Sequence, residues 1–156
     1  MNSIFNDPQL AYQLSRFSAY LAVGLAAVGS LIGCCNAGAS ALGCWKRAYQ
    51  DNKPAAFVLS IFAGAPLSQT IYAMILMMML TGKSTPENPM LLSHLCMGLF
   101  GGVLLLVSAI YQGKIGALAC DMFGGANNKG FGNAITVVGI VETVALFATI
   151  FAAMAI

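Results

Sequence analysis

Glu142 is the only charged residue in ITVVGIVETVALFATIFAAMAI (135–156). An ionised carboxylate costs several kcal/mol to place in hydrocarbon, so in such a run it calls for a partner and a purpose. Other polar side chains sit in comparably apolar surroundings. APLSQTIYA (65–73) carries Ser68, Gln69 and Tyr72, and SAIYQGKIG (108–116) carries Gln112. Ser68 and Tyr72 stand at i and i+4, which puts their hydroxyls on one face of a helix. Pro66 cannot donate a backbone hydrogen bond, so it leaves the Phe62 carbonyl unpaired and loosens the helix beside them. One carboxylate, two amide oxygens, a hydroxyl and a loosened backbone make a singly charged, all-oxygen set. It suits a hard monovalent cation, because such ions prefer oxygen and no soft donor is among the five. Proton carriage needs only the carboxylate and one hydrogen-bond partner. Hydrogen bonding between helices accounts for Ser68 or Gln112 taken singly, but a neutral residue would pack at 142 more cheaply.

The surroundings of these residues follow from composition. The chain has 156 residues, 59% hydrophobic and 8% charged, with a mean hydropathy of +0.82. A soluble domain carries about 25% charged residues, so this composition is that of an integral membrane protein. The length fits a single compact domain. A net charge of +2, scattered along the chain, excludes a nucleic-acid-binding face. Cys34, Cys35, Cys44, Cys96 and Cys120 lie within or at the ends of apolar runs, and the one histidine, His94, is far from most of them. They read as small apolar packing residues rather than metal ligands or disulfide partners.

Four apolar stretches, 18–44, 55–81, 91–120 and 132–156, each exceed the ~20 residues that cross a bilayer. WKRAYQDNKP (45–54), TGKSTPENP (81–89) and DMFGGANNKG (121–130) separate them and read as loops. The expected fold is all-α: four transmembrane helices forming two tandem helical hairpins, 18–81 and 90–156, after a polar segment 1–17. That segment has no basic start followed by a short apolar core, so it does not read as a cleaved signal peptide. Lys46, Arg47, Lys53, Lys114 and Lys129 gather at the first and third breaks, against Arg16 and Lys83 on the other side. By the positive-inside rule both hairpin loops face the cytoplasm and both termini lie outside.

Counted inward from those loops, Gln112 lies eight residues before Cys120, Glu142 ten after Gly132, and Ser68 and Gln69 thirteen and fourteen after Ala55. At about 1.5 Å per residue these depths agree to one or two helical turns, so all four can reach one site. The chain also looks like one hairpin written twice. SALGC (40–44) matches GALAC (116–120), and SQTIYAMIL (68–76) matches VETVALFAT (141–149), which places Gln69 on Glu142 and Asn36 on Gln112. Gly24, Gly29, Gly33, Ala37 and Ala41 in the first helix, and Gly98, Gly102, Gly113 and Gly116 in the third, allow close backbone approach. The second and fourth helices are bulkier, with Met77, Met78, Met79, Phe147 and Phe151. Odd helices inside and even helices outside would suit a ring; ordinary packing in a four-helix bundle fits equally well.

APLSQTIY (65–72), YQGKIGALA (111–119) and VVGIVETVALF (137–147), with the double hairpin and its single carboxylate, resemble the duplicated proteolipid of V-type (archaeal or bacterial A/V-type) rotary ATPases. This is the K subunit of the membrane rotor, the c-ring. The resemblance reaches across most of the chain. It implies that Glu142 is the ion carrier, that Ser68, Gln69, Gln112 and the Ala65 carbonyl join it as Na+ ligands, and that Tyr72 hydrogen-bonds the carboxylate. Ser68 stands where threonine is usual and Leu67 where glycine is common; neither change removes a ligand oxygen, so Na+ is expected ahead of H+. The implied partners are identical subunits in a ring, a stator subunit carrying an arginine, central-stalk subunits and membrane lipid. The implied setting is a prokaryotic plasma membrane. The chain itself would do no bond chemistry; it would carry ions while ATP hydrolysis or synthesis proceeds elsewhere.

Two other readings compete. A small multidrug transporter also places a glutamate among four helices, but typically in the first, with aromatic neighbours for a drug cation. Here Glu142 is in the fourth and the only tryptophan, Trp45, is at a break. A structural tetraspan protein would have no need of Glu142, Gln69 and Gln112 at one depth.

Overall fold

The computed structural model of the chain describes residues 7–127 and 129–155. Among them there is no strand, and four helical spans are long and apolar enough to cross a membrane. α1 runs Pro8–Gln50, and α2 (Leu59–Gly64), a 3-10 turn (Ala65–Leu67) and α3 (Ser68–Lys83) form the second span. α4 is Leu91–Gly125 and α5 is Phe131–Met154. At 1.5 Å per residue α1 is about 65 Å long and α4 about 52 Å, so both outreach a hydrocarbon core of about 30 Å.

The start of α1 departs from the sequence reading. The stretch set aside as a polar segment 1–17 is helical from Pro8; residues 1–6 lie outside the described residues, as do Asn128 and Ile156 of the second half. The cause is local. Asp7 accepts hydrogen bonds from the backbone N–H of Gln9 (3.0 Å) and Leu10 (3.4 Å), and Pro8 stands at the first helical position. An aspartate cap followed by proline starts a helix whatever the polarity of the next turns. α1 also continues through Trp45–Gln50 and stops where Asn52 turns left-handed (φ 53°) ahead of Pro54. Trp45 is therefore helical, and its indole N–H donates to the Ala56 carbonyl at 2.8 Å, closing the end of α1 onto the start of the second span.

α1 and α4 pack side by side and in the same direction. Ser40 Oγ donates to the Ala117 carbonyl (2.9 Å) and Cys44 Sγ to the Cys120 carbonyl (3.3 Å), so the matching SALGC and GALAC segments lie level and in contact. Glycine makes this approach possible. A Cβ at Gly113 would overlap the backbone of Gly33, one at Gly29 the backbone of Leu106, and one at Gly98 the carbonyl of Ser18. Gly24 takes no part: nothing lies within 4 Å of where its Cβ would be, so it drops out of the small-residue face read from the sequence. α3 packs on α1 and α5 on α4, each running against its neighbour: Ser15 meets Ser84 and Ser30 meets Pro66, while Phe123 meets Phe131.

The interior has three tiers. Ala41, Cys44, Leu59, Phe62, Cys120 and Val138 belong to one buried apolar cluster. Ala19, Ala22, Leu76, Leu80, Leu105 and Ala145 belong to another. Between them, on every span, the chain places polar groups: Ser30, Gln69, Gln112 and Glu142. Apolar tiers on both sides deprive these groups of water, so they must satisfy one another.

Candidate functional site

The turn Ala65–Leu67 sets up the site. Pro66 has no N–H, and the chain tightens around it into a 3-10 turn in which the Ser68 N–H returns to the Ala65 carbonyl. Ser68 Oγ donates to that same carbonyl at 2.9 Å. Two oxygens so close, one backbone and one hydroxyl, can share a single cation once the hydroxyl proton turns away. The Phe62 carbonyl, which the proline was expected to leave free, faces α4 where a Cβ at Gly116 would come within 2.7 Å of it. It therefore points at the backbone of α4 near Gly116.

From Ser68 the polar groups form one chain across three helices. Ser68 Oγ also lies 3.3 Å from Gln69 Oε1, the more distant of the two acceptors its one proton can reach, and Gln69 Nε2 donates to Gln112 Oε1 (2.6 Å). Gln112 Nε2 donates at 3.5 Å to both Glu142 Oε2 and the Val138 carbonyl. From the other side the Tyr72 hydroxyl donates to Glu142 Oε1 at 2.8 Å. Gln69 and Gln112 are fully buried, while Glu142, Tyr72 and Ser68 are partly buried. Among the described residues no basic side chain pairs with Glu142; Arg47 pairs with Asp121 and Lys53 with Asp51, all exposed at helix ends or loops. Lys114, two residues from Gln112, turns outward instead, with Nζ 4.7 Å from the centre of the Tyr111 ring.

Each sequence-selected residue thus has a place. Glu142, Gln112, Gln69, Ser68, the Ala65 carbonyl and Tyr72 fall in one connected group. Ala65, Ser68 and Glu142 also line a groove of 540 Å³ between the second span and α5, walled by Gly64, Leu67 and Gly139, so the group has an opening. Asn36, the repeat partner of Gln112, is exposed on α1 and takes no part. The repeat therefore preserves level but not environment, and one site results.

Ser30 and Thr70 were missed. Ser30 of α1 donates to the Pro66 carbonyl at 2.6 Å and accepts from Thr70 Oγ1 at 2.8 Å. A serine among glycines on a close-packed face was available as a signal, since a buried hydroxyl needs a partner. The lone histidine forms a separate polar cluster: His94 Nδ1 and Ser15 Oγ are 2.6 Å apart, and Ser15 Oγ is 3.2 Å from Ser84 Oγ.

Chemically, the group offers a carboxylate, two amides, a hydroxyl and a backbone carbonyl within one hydrogen-bonded run, with a flank open to the groove. It can exchange a small cation or a proton. Compared with known proteins, the chain matches no family model and no curated protein.

Proposed function

We propose that this chain is the membrane rotor proteolipid of a V-type rotary ATPase, carrying Na+ across the membrane on Glu142. The observation that supports it most is a carboxylate in the middle of α5 with hydrogen-bond donors on both oxygens and, among the described residues, no basic partner, beside four further oxygens. An ion pair would have fixed a charge there for structural ends; an unpaired carboxylate instead needs a mobile cation or proton to neutralise it. In this reading the two helical hairpins assemble with identical subunits into a ring, glycine-rich α1 and α4 inward and α3 and α5 outward. Glu142 crosses the lipid-facing arc neutralised and releases its ion at a stator subunit, where an arginine takes its place. Central-stalk subunits turn the ring as ATP is hydrolysed or made elsewhere. Both hairpin loops face the cytoplasm of a prokaryotic cell. One carrier per four helices means few ions per turn, which favours pumping against steep gradients.

The test is a membrane-soluble carbodiimide. It reacts with a protonated acid, and Glu142 is the one acid set among apolar side chains; Asp7, Asp51, Glu87 and Asp121 are exposed at loops and helix ends. Glu142 is expected to be labelled selectively, and Na+ to slow the reaction by competing with the proton. Labelling indifferent to Na+ would make this a proton rotor. No labelling of Glu142, or a purified particle no larger than one or two 16.2 kDa chains, would overturn the rotor reading.

A further inference from the structure

Two of the five oxygens in the group, the Ala65 carbonyl and Ser68 Oγ, belong to the turn around Pro66. Ser68 Oγ ties the Ala65 carbonyl from within the second span, but Gly64, Ala65 and Leu67 bring no polar side chain to hold Pro66 itself. What grips it comes from α1. Ser30 Oγ donates to the Pro66 carbonyl at 2.6 Å, and one turn further along α1 the Pro66 ring packs over Gly33, where a Cβ would meet the ring at 2.8 Å. Thr70 Oγ1 donates to Ser30 Oγ at 2.8 Å, which leaves the serine proton free to point only at Pro66. Ser30 is 3% exposed and Pro66 is buried, so no water competes for these bonds.

We propose that Ser30, oriented by Thr70, is a positioning residue that sets the affinity and size selectivity of the cation site. The inference rests on the cation-carrier reading above and adds to it a residue on a helix that supplies no ligand. Ser30 holds the Pro66 carbonyl from behind, and the Ala65 carbonyl is the next one back along the same rigid turn. Releasing Pro66 lets the Ala65 carbonyl and Ser68 Oγ shift together. Glu142 on α5 and Gln112 on α4 keep their places. A cage whose halves move independently loses its preferred ion size before it loses its charge.

The test measures carbodiimide labelling of Glu142 against Na+ and Li+ in the purified full chain. In Ser30→Ala the Na+ concentration giving half-protection is expected to rise about tenfold, and in Thr70→Val about threefold, the range one hydrogen bond spans. The Li+-to-Na+ ratio should shift in both variants while the rate without added cation stays at the wild-type value. Thr70→Ser, which restores the hydroxyl, should return both concentrations to wild type. A loss of packing alone would change thermal stability without moving that ratio, and Thr70→Val decides the matter if Ser30→Ala does not fold. Wild-type half-protection and ratio in Thr70→Val and in any folded Ser30→Ala would overturn the role of Ser30 and leave the carrier reading standing. No Na+ protection in the wild type would overturn both the role of Ser30 and Na+ as the carried ion, leaving a proton carrier.

Discussion

The Tyr72 hydroxyl reaches Glu142 Oε1 across 2.8 Å and is the one side-chain hydrogen bond between α3 and α5 among the described residues. It fixes which way the carboxylate faces, since Gln112 holds the other oxygen from α4 at a looser 3.5 Å. Tyr72→Phe keeps the ring and deletes the bond. Hydrogen bonds to charged groups contribute about 1.5–3 kcal/mol, so the Na+ concentration that half-protects Glu142 should rise about tenfold or more. Titration of carbodiimide labelling checks this, and an unchanged midpoint would remove Tyr72 from the site.

Close contact between α1 and α4 predicts a sharp contrast between glycines. Gly113→Ala puts a methyl into the Gly33 backbone and should destabilise by about 1–3 kcal/mol or block folding, as overpacking does. Gly38→Ala meets nothing within 4 Å and should stabilise α1 slightly, by about 0.5–1 kcal/mol, because alanine is the better helix former. Thermal unfolding in detergent reads both. Equal melting temperatures would mean the helices are not in backbone contact.

Buried hydroxyls should separate in the same way. Ser15 is the hydrogen-bond partner of His94 Nδ1, and His94 Nε2 is buried without one among the described residues. Ser15→Ala leaves the whole ring unsatisfied and should cost about 1–3 kcal/mol. Ser108 Oγ is buried with no hydrogen-bond partner among the described residues, so Ser108→Ala removes an uncompensated desolvation and should be neutral or stabilising. Similar destabilisation at both positions would show that Ser108 has a partner in the working protein.

Topology follows from the basic residues at the first and third breaks. In a cysteine-free background, Asn52→Cys should react with a membrane-impermeant thiol reagent only from the cytoplasmic side. Asn52 is exposed in the turn that follows α1. Labelling in intact cells would reverse the orientation.

Much of this arrangement could be read before any coordinates. Long apolar runs dictate the spans, and a carboxylate or amide in such a run must meet others at its own depth, which is how Gln69, Gln112 and Glu142 come together. What stayed hidden depends on contacts between segments. Gly24 and Gly29 look alike in sequence, yet only Gly29 faces α4, because the helix phase that decides it is set by packing. Ser30 is one small residue among many in the first helix, and its role depends on the Pro66 carbonyl that packing sets opposite it. The Asp7–Pro8 pair is a helix-start signal in the sequence, and capping locates that start whatever the polarity of the residues after it.

The two glutamine amides carry the last prediction. Gln112 turns its nitrogen to Glu142 and its oxygen to Gln69, whose nitrogen meets it at 2.6 Å. In this orientation an N–H satisfies the negative oxygen, whereas a metal ion would be repelled by it. Binding Na+ therefore requires Gln112 to rotate its amide and offer oxygen. That turns its nitrogen toward Gln69, which must then present oxygen as well, so the two amides reverse together. Each amide is buried, and a half-completed reversal would set two nitrogens or two oxygens face to face. With the side-chain amides of Gln69 and Gln112 labelled with nitrogen-15, adding Na+ should shift both signals with the same midpoint. In Gln69→Leu the Gln112 signal should still shift, at a different Na+ concentration, because its partner no longer couples to it. Signals that stay fixed while Na+ protects Glu142 would show that the cation binds without the amides and would reduce the ligand set to the carboxylate, Ser68 and the Ala65 carbonyl.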